Sequence, residues 1–132
     1  MKSWLLVAVL SFPLFAADEL VAVYYCRTPN IADAGYSVTV ETGGFAGITQ
    51  VTLAENSFAG STLLGRFVVK QTQQNKTQVF TGQNMKLVVG PGHHPNGIAI
   101  PHKVYDAVFV AKTRDGKNHR GQVQCWSPRD PQ

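Results

Sequence analysis

Charged residues are scarce in this chain of 132 residues, because they make up 15% of the sequence against about 25% in an average globular protein. So little charge excludes a disordered acidic or basic tail. No long segment repeats apolar residues at helical spacing, which argues against a helix bundle. Hydrophobic residues account for 44% of the chain, and 12 glycines and 7 prolines accompany them. We therefore expect a folded domain rich in turns.

Motifs that dictate a particular enzymatic reaction are also missing. The chain contains no G-x-S-x-G, no H-E-x-x-H and no phosphate-binding G-x-x-x-x-G-K. His102 and Asp106 suggest a catalytic pair, but in an extended strand they would lie about 13 Å apart, at about 3.3 Å per residue. They could not share a hydrogen bond. We therefore expect a protein without enzymatic activity.

The first residues are typical of a cleaved signal peptide. Lys2 precedes an apolar run over residues 4–10, and Ala16 and Ala17 offer two cleavage positions, of which Ala16 is favoured. The apolar run is too short to cross a bilayer of about 30 Å, so no membrane span is expected. Residues 1–16 are predicted to be removed, and residues 17–132 to form one domain in the periplasm or outside the cell.

Cysteine occurs twice, at Cys26 and Cys125, near the two ends of the predicted mature chain. An even pair in an exported protein predicts one disulfide. The bond would close a loop of nearly a hundred residues, worth about 4–5 kcal/mol in the chain-entropy model. Neither cysteine belongs to a C-x-x-C motif, which argues against a cysteine metal site or a reactive thiol.

Short segments that alternate apolar and polar residues predict β-strands. Tyr36, Val38 and Val40 would share the buried face of one strand, and Arg66 and Lys70 the solvent face of another. The pattern predicts eight strands, over residues 20–26, 36–41, 48–55, 63–70, 77–81, 85–89, 104–112 and 120–126.

The strands are separated by residues that favour tight turns. These turns cover residues 42–47, 59–61, 73–76, 82–84 and 114–117. Short connections without a crossover helix favour an all-β fold, a small antiparallel barrel, with a two-sheet β-sandwich as the alternative. The disulfide would hold the first strand beside the last. At the level of architecture, this layout resembles small periplasmic lysozyme inhibitors and lipocalin-like binders.

A glycine- and proline-rich loop over residues 90–97 carries His93 and His94, and His102 follows it. Three imidazoles are able to ligate a divalent transition metal. However, adjacent histidines in an extended chain point to opposite sides, and no carboxylate or cysteine lies at ligand spacing. The favoured interpretation is polar residues facing solvent and no cofactor, with a metal on His93, His94 and His102 as the alternative.

Positive charge is in modest excess, since removal of Lys2 with the leader lowers the formal net charge from +4 to +3. Such a surplus would attract an anionic or protein partner in the cell envelope, or it would keep the last hairpin soluble. The second interpretation is favoured. Nucleic acid is not expected, because the chain is predicted to be exported and no aromatic residues interleave with the basic ones. The cluster comprises Lys112, Arg114, Lys117, His119 and Arg120.

Two phenylalanines, Phe45 and Phe58, lie among glycine, alanine and serine in predicted turns. They would either plug an end of the barrel, which is favoured, or anchor a partner.

The sequence thus predicts an exported, non-enzymatic binding or interaction domain. Its contact surface is expected at one end of the barrel, on the loops over residues 43–47, 59–61 and 90–97, because glycine-rich loops on a stapled scaffold suit recognition. One alternative is a metal-binding protein that uses the loop histidines. Another is a small-ligand carrier of lipocalin-like architecture, for which the bulky inward positions leave little room.

Overall fold

The computed structural model describes residues 19–29, 34–44, 47–94 and 103–130. Within these ranges, eight antiparallel strands pair in sequence order and close into a barrel. The strands are β1 (Leu20–Arg27), β2 (Gly35–Gly43), β3 (Ile48–Ser57), β4 (Gly60–Gln74), β5 (Thr77–Gly82), β6 (Met85–His93), β7 (Val104–Lys112) and β8 (Asn118–Trp126). The predicted all-β barrel is confirmed, and the predicted signal peptide lies outside the described residues.

Alternation of side chains gives each strand a buried and an exposed face, as the sequence pattern predicts. Val38 and Val40 of β2 are fully buried, whereas the residues between and beside them are partly exposed. On β4, Arg66 and Lys70 lie on the solvent face. The described residues include no helix long and apolar enough to cross a membrane.

Large apolar side chains from all parts of the ring meet inside the barrel. An eight-stranded barrel encloses about the volume that its own side chains can fill. Burial of these groups is the main source of stability for the fold. The largest fully buried side chains are Phe80, Phe109, Leu53, Leu87, Val38, Val40, Val51 and Val89. Together with further buried residues of all eight strands, these side chains form the hydrophobic core.

The ring closes at the seam between β1 and β8, which has only three register pairs. The central pair is Cys26 with Cys125, and these residues form the predicted disulfide, with a Cα–Cα distance of 3.9 Å. Their sequence separation is 99 residues. A covalent bond therefore secures the shortest ladder of the barrel. A disulfide is also compatible with a protein located outside the cytoplasm.

Because neighbouring strands are antiparallel, successive connections alternate between the two ends of the barrel. We call one end the terminal end. It holds the start of β1, the end of β8 and the β2–β3, β4–β5 and β6–β7 connections. The other end, which we call the basic end, holds the β1–β2, β3–β4, β5–β6 and β7–β8 connections.

Tyrosines cover the core at the terminal end. The Tyr105 hydroxyl donates a hydrogen bond of 2.7 Å to the carboxylate of Asp130. The ring of Tyr24 packs edge-on against Tyr105, with 5.3 Å between ring centroids. Burial, together with the hydrogen bond to Asp130, raises the pKa of Tyr105 strongly above its usual value. The turn after β8 thus closes this end through a partly buried phenol.

We predict that Cys26→Ser, or a reducing agent on the native protein, lowers the melting temperature. Loss of about 4–5 kcal/mol of loop-closure stabilisation corresponds to roughly 15 °C for a domain of this size. Circular dichroism melts with and without reductant test this. Cys26→Ser itself should no longer respond to reductant. An unchanged melt, or two free thiols by mass spectrometry, would contradict the disulfide.

Stability should also fall as pH rises above about 10, the ordinary tyrosine pKa. Burial and Asp130 hold the pKa of Tyr105 above its usual value in the folded state, and burial also raises that of Tyr24. The stabilisation that these two tyrosines give the folded protein is therefore complete below pH 10. It is lost as pH increases, since the tyrosines ionise at lower pH in the unfolded chain than in the folded one. Urea unfolding at several alkaline pH values measures the slope. Tyr105→Phe should reduce the slope, and Asp130→Asn should reduce it less; an unaltered slope in Tyr105→Phe refutes the assignment.

Candidate functional site

The glycine-rich loops expected to form one contact surface lie at opposite ends of the barrel. Of these segments, residues 43, 44, 47 and 90–94 are described and belong to the terminal end, while residues 59–61 belong to the basic end. In an up-and-down ring, consecutive hairpins cannot share an end. The expectation of one surface made by all three loops is therefore wrong, and each end has to be considered separately.

Phe58 lies at the tip of the β3–β4 hairpin, at the basic end, and its side chain is 92% exposed. The favoured interpretation of Phe58 as a plug is therefore wrong. Phe45 lies outside the described residues. Hydrogen bonds hold the Phe58 turn in shape, because the Ser57 hydroxyl accepts from the Ala59 amide at 3.2 Å and donates to the Gly60 carbonyl at 3.4 Å. An aromatic ring is thus presented to solvent on a structured turn.

The stem of this hairpin is also tied together by side chains. The Asn56 amide donates to the Ser37 hydroxyl of β2 at 2.8 Å, and the Ser61 hydroxyl of β4 donates to the Asn56 carbonyl oxygen at 2.5 Å. Asn56 therefore links three neighbouring strands. A turn held in this way loses little conformational freedom when it binds a partner.

A groove of about 550 Å³ runs along β4 at the basic end. It is lined by residues 63–68 of β4, by Gln83 and Asn84 of the β5–β6 connection, and by residues 112–114. The groove exists because β5 pairs only with the second half of β4, from Val69 onwards. At that junction, a Cβ on Gly82 would lie 2.5 Å from the Val68 carbonyl oxygen. Glycine is required there because the two backbones approach so closely.

The groove is positively charged. Arg66 of β4 and the predicted contact residues Lys112 and Arg114 are among its lining residues, and all three side chains are exposed. The lining contains no carboxylate. Two of the basic residues predicted to contact a partner thus occur in one concave site, and Arg66, which the sequence placed only on a solvent face, joins them.

The remaining members of the predicted basic cluster are directed elsewhere. Arg120 lies on the outer wall of β8, opposite Val110 of β7. Lys117 stays in the β7–β8 turn, where its amide contacts the Asp115 carboxylate at 3.3 Å. His119 lines a second concavity together with Lys86, Lys112 and Arg120, and its ring shares a 3.0 Å hydrogen bond with the Tyr36 hydroxyl. Lys112 borders both concavities, so the predicted cluster extends over neighbouring sites and does not form a single one.

The predicted metal ligands do not assemble a site within the described residues. His93 forms a 2.9 Å contact with the Asp106 carboxylate across the β6–β7 ladder, and His94 is exposed. His102 lies outside the described residues. In the part of the chain that the structure describes, no group of three or more histidine, cysteine, aspartate or glutamate residues could hold a metal ion. Asp106 thus pairs with an imidazole from another strand, which spacing along the chain could not indicate.

Sequence reasoning also missed an aromatic pair on the outer wall beside the disulfide. Tyr25 and Trp126 are register partners on β1 and β8, with 4.9 Å between ring centroids. Both are partly exposed, at 39% and 44%. Their alternation with Cys26 and Cys125, whose side chains face inward, is the signal that would have placed them outside.

The β7–β8 turn beside the groove is held by its own carboxylate. The Thr113 hydroxyl donates to Asp115, and the Lys117 amide donates to the same oxygen. These hydrogen bonds stabilise the charged form and lower the pKa of Asp115 below its usual value. The turn that presents Lys112 and Arg114 is thus an ordered element.

Comparison with family models, curated proteins and solved structures finds no match to this chain. Function is therefore argued from the site.

We predict that Thr113→Val raises the pKa of Asp115 toward its ordinary value of 3.8, because the principal donor to the carboxylate is lost. Carboxyl NMR titration measures this directly. Thr113→Ser retains a hydroxyl and should keep the pKa low. In the native protein, the turn should lose its stabilisation as pH falls below 3.8 and through the lowered pKa. Equal titration curves for Thr113→Val and the native protein would rule out the hydrogen bond.

Proposed function

We propose that this chain is an exported, non-enzymatic binding domain, periplasmic or secreted, that docks an acidic protein partner at its basic end. The exposure of Phe58 on an ordered hairpin carries the proposal. Aromatic residues dominate the energy of protein interfaces, and the hydrogen-bonded turn presents this one already in a fixed position.

Charge at the same end favours an acidic partner. Phe58 lies in the turn that leads into β4. The groove with Arg66, Lys112 and Arg114 begins at Leu63 of β4, about 16 Å from Phe58 at about 3.3 Å per residue. An interface of standard size covers both features, since it spans about 800 Å² on each protein. Phe58 would supply a buried anchor, while the cations would steer and orient the partner.

Export is part of the proposal because of the predicted leader and the disulfide, which persists in oxidising compartments. The absence of catalysis is proposed because the groove lining has neither a carboxylate nor a histidine to act as a general acid or base. The metal-binding and small-ligand alternatives stay predictions from the sequence. Neither gains a specific supporting contact from the described residues.

The proposal can be tested by placing benzoylphenylalanine, a photo-reactive residue, at position 58 of the oxidised protein. Irradiation in an extract of the native cell envelope should give a discrete cross-linked protein, identified by mass spectrometry. The matched control places the same residue at Val21, which is 56% exposed at the terminal end and should give no such product. Equal cross-linking from both positions would refute a contact surface at the basic end.

Once the partner is purified, Phe58→Ala should weaken its affinity by roughly 30-fold or more, the effect of losing a hot-spot aromatic residue. Arg114→Glu should slow association and reduce its dependence on salt. Both substitutions are on exposed residues, so stability should change by less than about 0.5 kcal/mol. Native affinity in Phe58→Ala would exclude Phe58 as the anchor.

A further inference from the structure

The first half of β4 is an open strand edge, although the barrel as a whole is closed. Residues 60–68 pair with β3 on one side. On the other side, pairing with β5 starts only at Val69. No other strand within the described residues pairs with this edge. Since alternate residues of a strand direct their amides and carbonyls to each side, the edge presents unpaired donors and acceptors over about 30 Å, at about 3.3 Å per residue.

The side chains on this edge do little to prevent pairing. Proteins usually protect an open edge with prolines, several charges or a covering loop. Residues 60–68 contain no proline, and their one charged residue is Arg66. Leu63 and Val68 are 49% and 67% exposed along the same stretch. An edge with exposed apolar groups and free backbone groups is suited to accept an additional strand.

The surroundings of the edge determine which strand fits. The groove beside it carries Arg66, Lys112 and Arg114 and no carboxylate. A second copy of this chain, pairing β4 with β4, would bring these cations close to their own counterparts, and like charges oppose such pairing. A segment with acidic side chains would instead neutralise them. The charge of the groove thus favours a foreign acidic strand over self-association.

We propose that the groove binds an extended, acidic polypeptide segment that adds to residues 60–68 of β4 as a new strand. This inference rests on the proposed function and specifies how the partner is held. Backbone hydrogen bonds to the open edge supply affinity that does not depend on sequence, and the groove cations select acidic side chains. Phe58, at the head of the same strand, contacts the folded part of the partner that carries the segment.

The test uses oxidised, isotope-labelled protein and a synthetic peptide that alternates glutamate with valine. NMR should show cross-strand contacts between peptide α-protons and the backbone of residues 60–68. Amides at alternate positions of that stretch should become protected from hydrogen exchange. A counterpart peptide with lysine at every glutamate position should bind at least tenfold more weakly. Equal binding of the two peptides, or protection located elsewhere, would overturn the proposal.

A matched pair of variants on β4 separates the groove from general electrostatics. Arg66→Glu should lower peptide affinity by about tenfold or more, whereas Lys70→Glu should change it by less than about threefold. Both residues lie on the solvent face of one strand, but Lys70 belongs to the half that already pairs with β5. Equal losses in the two variants would contradict a specific groove.

Other outcomes distinguish this inference from the proposed function. If cross-linking from position 58 succeeds while no peptide pairs with residues 60–68, strand addition is wrong and the basic end remains the contact surface. If the edge is already protected in the free protein, or if cross-strand contacts appear between two copies of the chain, the acidic segment is not its occupant.

Discussion

The ladder between β1 and β8 is the contact on which the rest of the barrel depends. Within the described ranges it is the only ladder between strands distant in sequence, because the other ladders there connect neighbours along the chain. Hairpins form from local contacts, but this seam must overcome the loop entropy of nearly the whole domain. Three register pairs offer few hydrogen bonds to offset this entropy. The Cys26–Cys125 bond at the centre of the ladder therefore holds the seam closed covalently. Closure of the ring in turn creates the core and defines its two ends.

The two ends then differ in how their strands terminate. At the terminal end, the turn after β8 returns Asp130 to the partly buried Tyr105, whose hydroxyl is thereby hydrogen-bonded. At the basic end, β4 extends past the start of its pairing with β5, and a groove opens between β4 and the two following connections. The tilt of strands in a barrel requires such offsets between neighbours. The offset between β4 and β5 lies at the basic end, together with the exposed Phe58 and the groove cations.

Much of the fold could be predicted from the sequence because it depends on local patterns. Alternation in segments such as residues 36–41 identifies a strand and its buried face, and the two cysteines identify the closing bond. The groove could not be predicted, since the overhang of β4 depends on the register between strands, which no local pattern specifies. The same is true of His93 and Asp106, which meet across two strands. The hydrogen bond between His119 and the Tyr36 hydroxyl likewise joins strands distant in sequence, although His119 also shares a concavity with Lys112 and Arg120.

The prediction that Phe58 plugs an end of the barrel failed for a different reason. A single aromatic residue between serine and alanine fits a plug, the favoured interpretation, as well as an anchor, and only the direction of the hairpin decides. That direction follows from Asn56, which bonds β2 and β4 at once and keeps the stem in line with the sheet.

The position of the disulfide also determines how the domain would respond to mechanical force. The bond encloses all residues between Cys26 and Cys125, which are 99 positions apart. If the two ends of the chain were pulled apart, tension would pass from β1 to β8 directly through the two sulfur atoms. Only the short segments outside the bond could be peeled away, while the packed core, Phe58 and the groove would remain unloaded. A domain of this design therefore stays folded while it is tethered at both ends between moving structures.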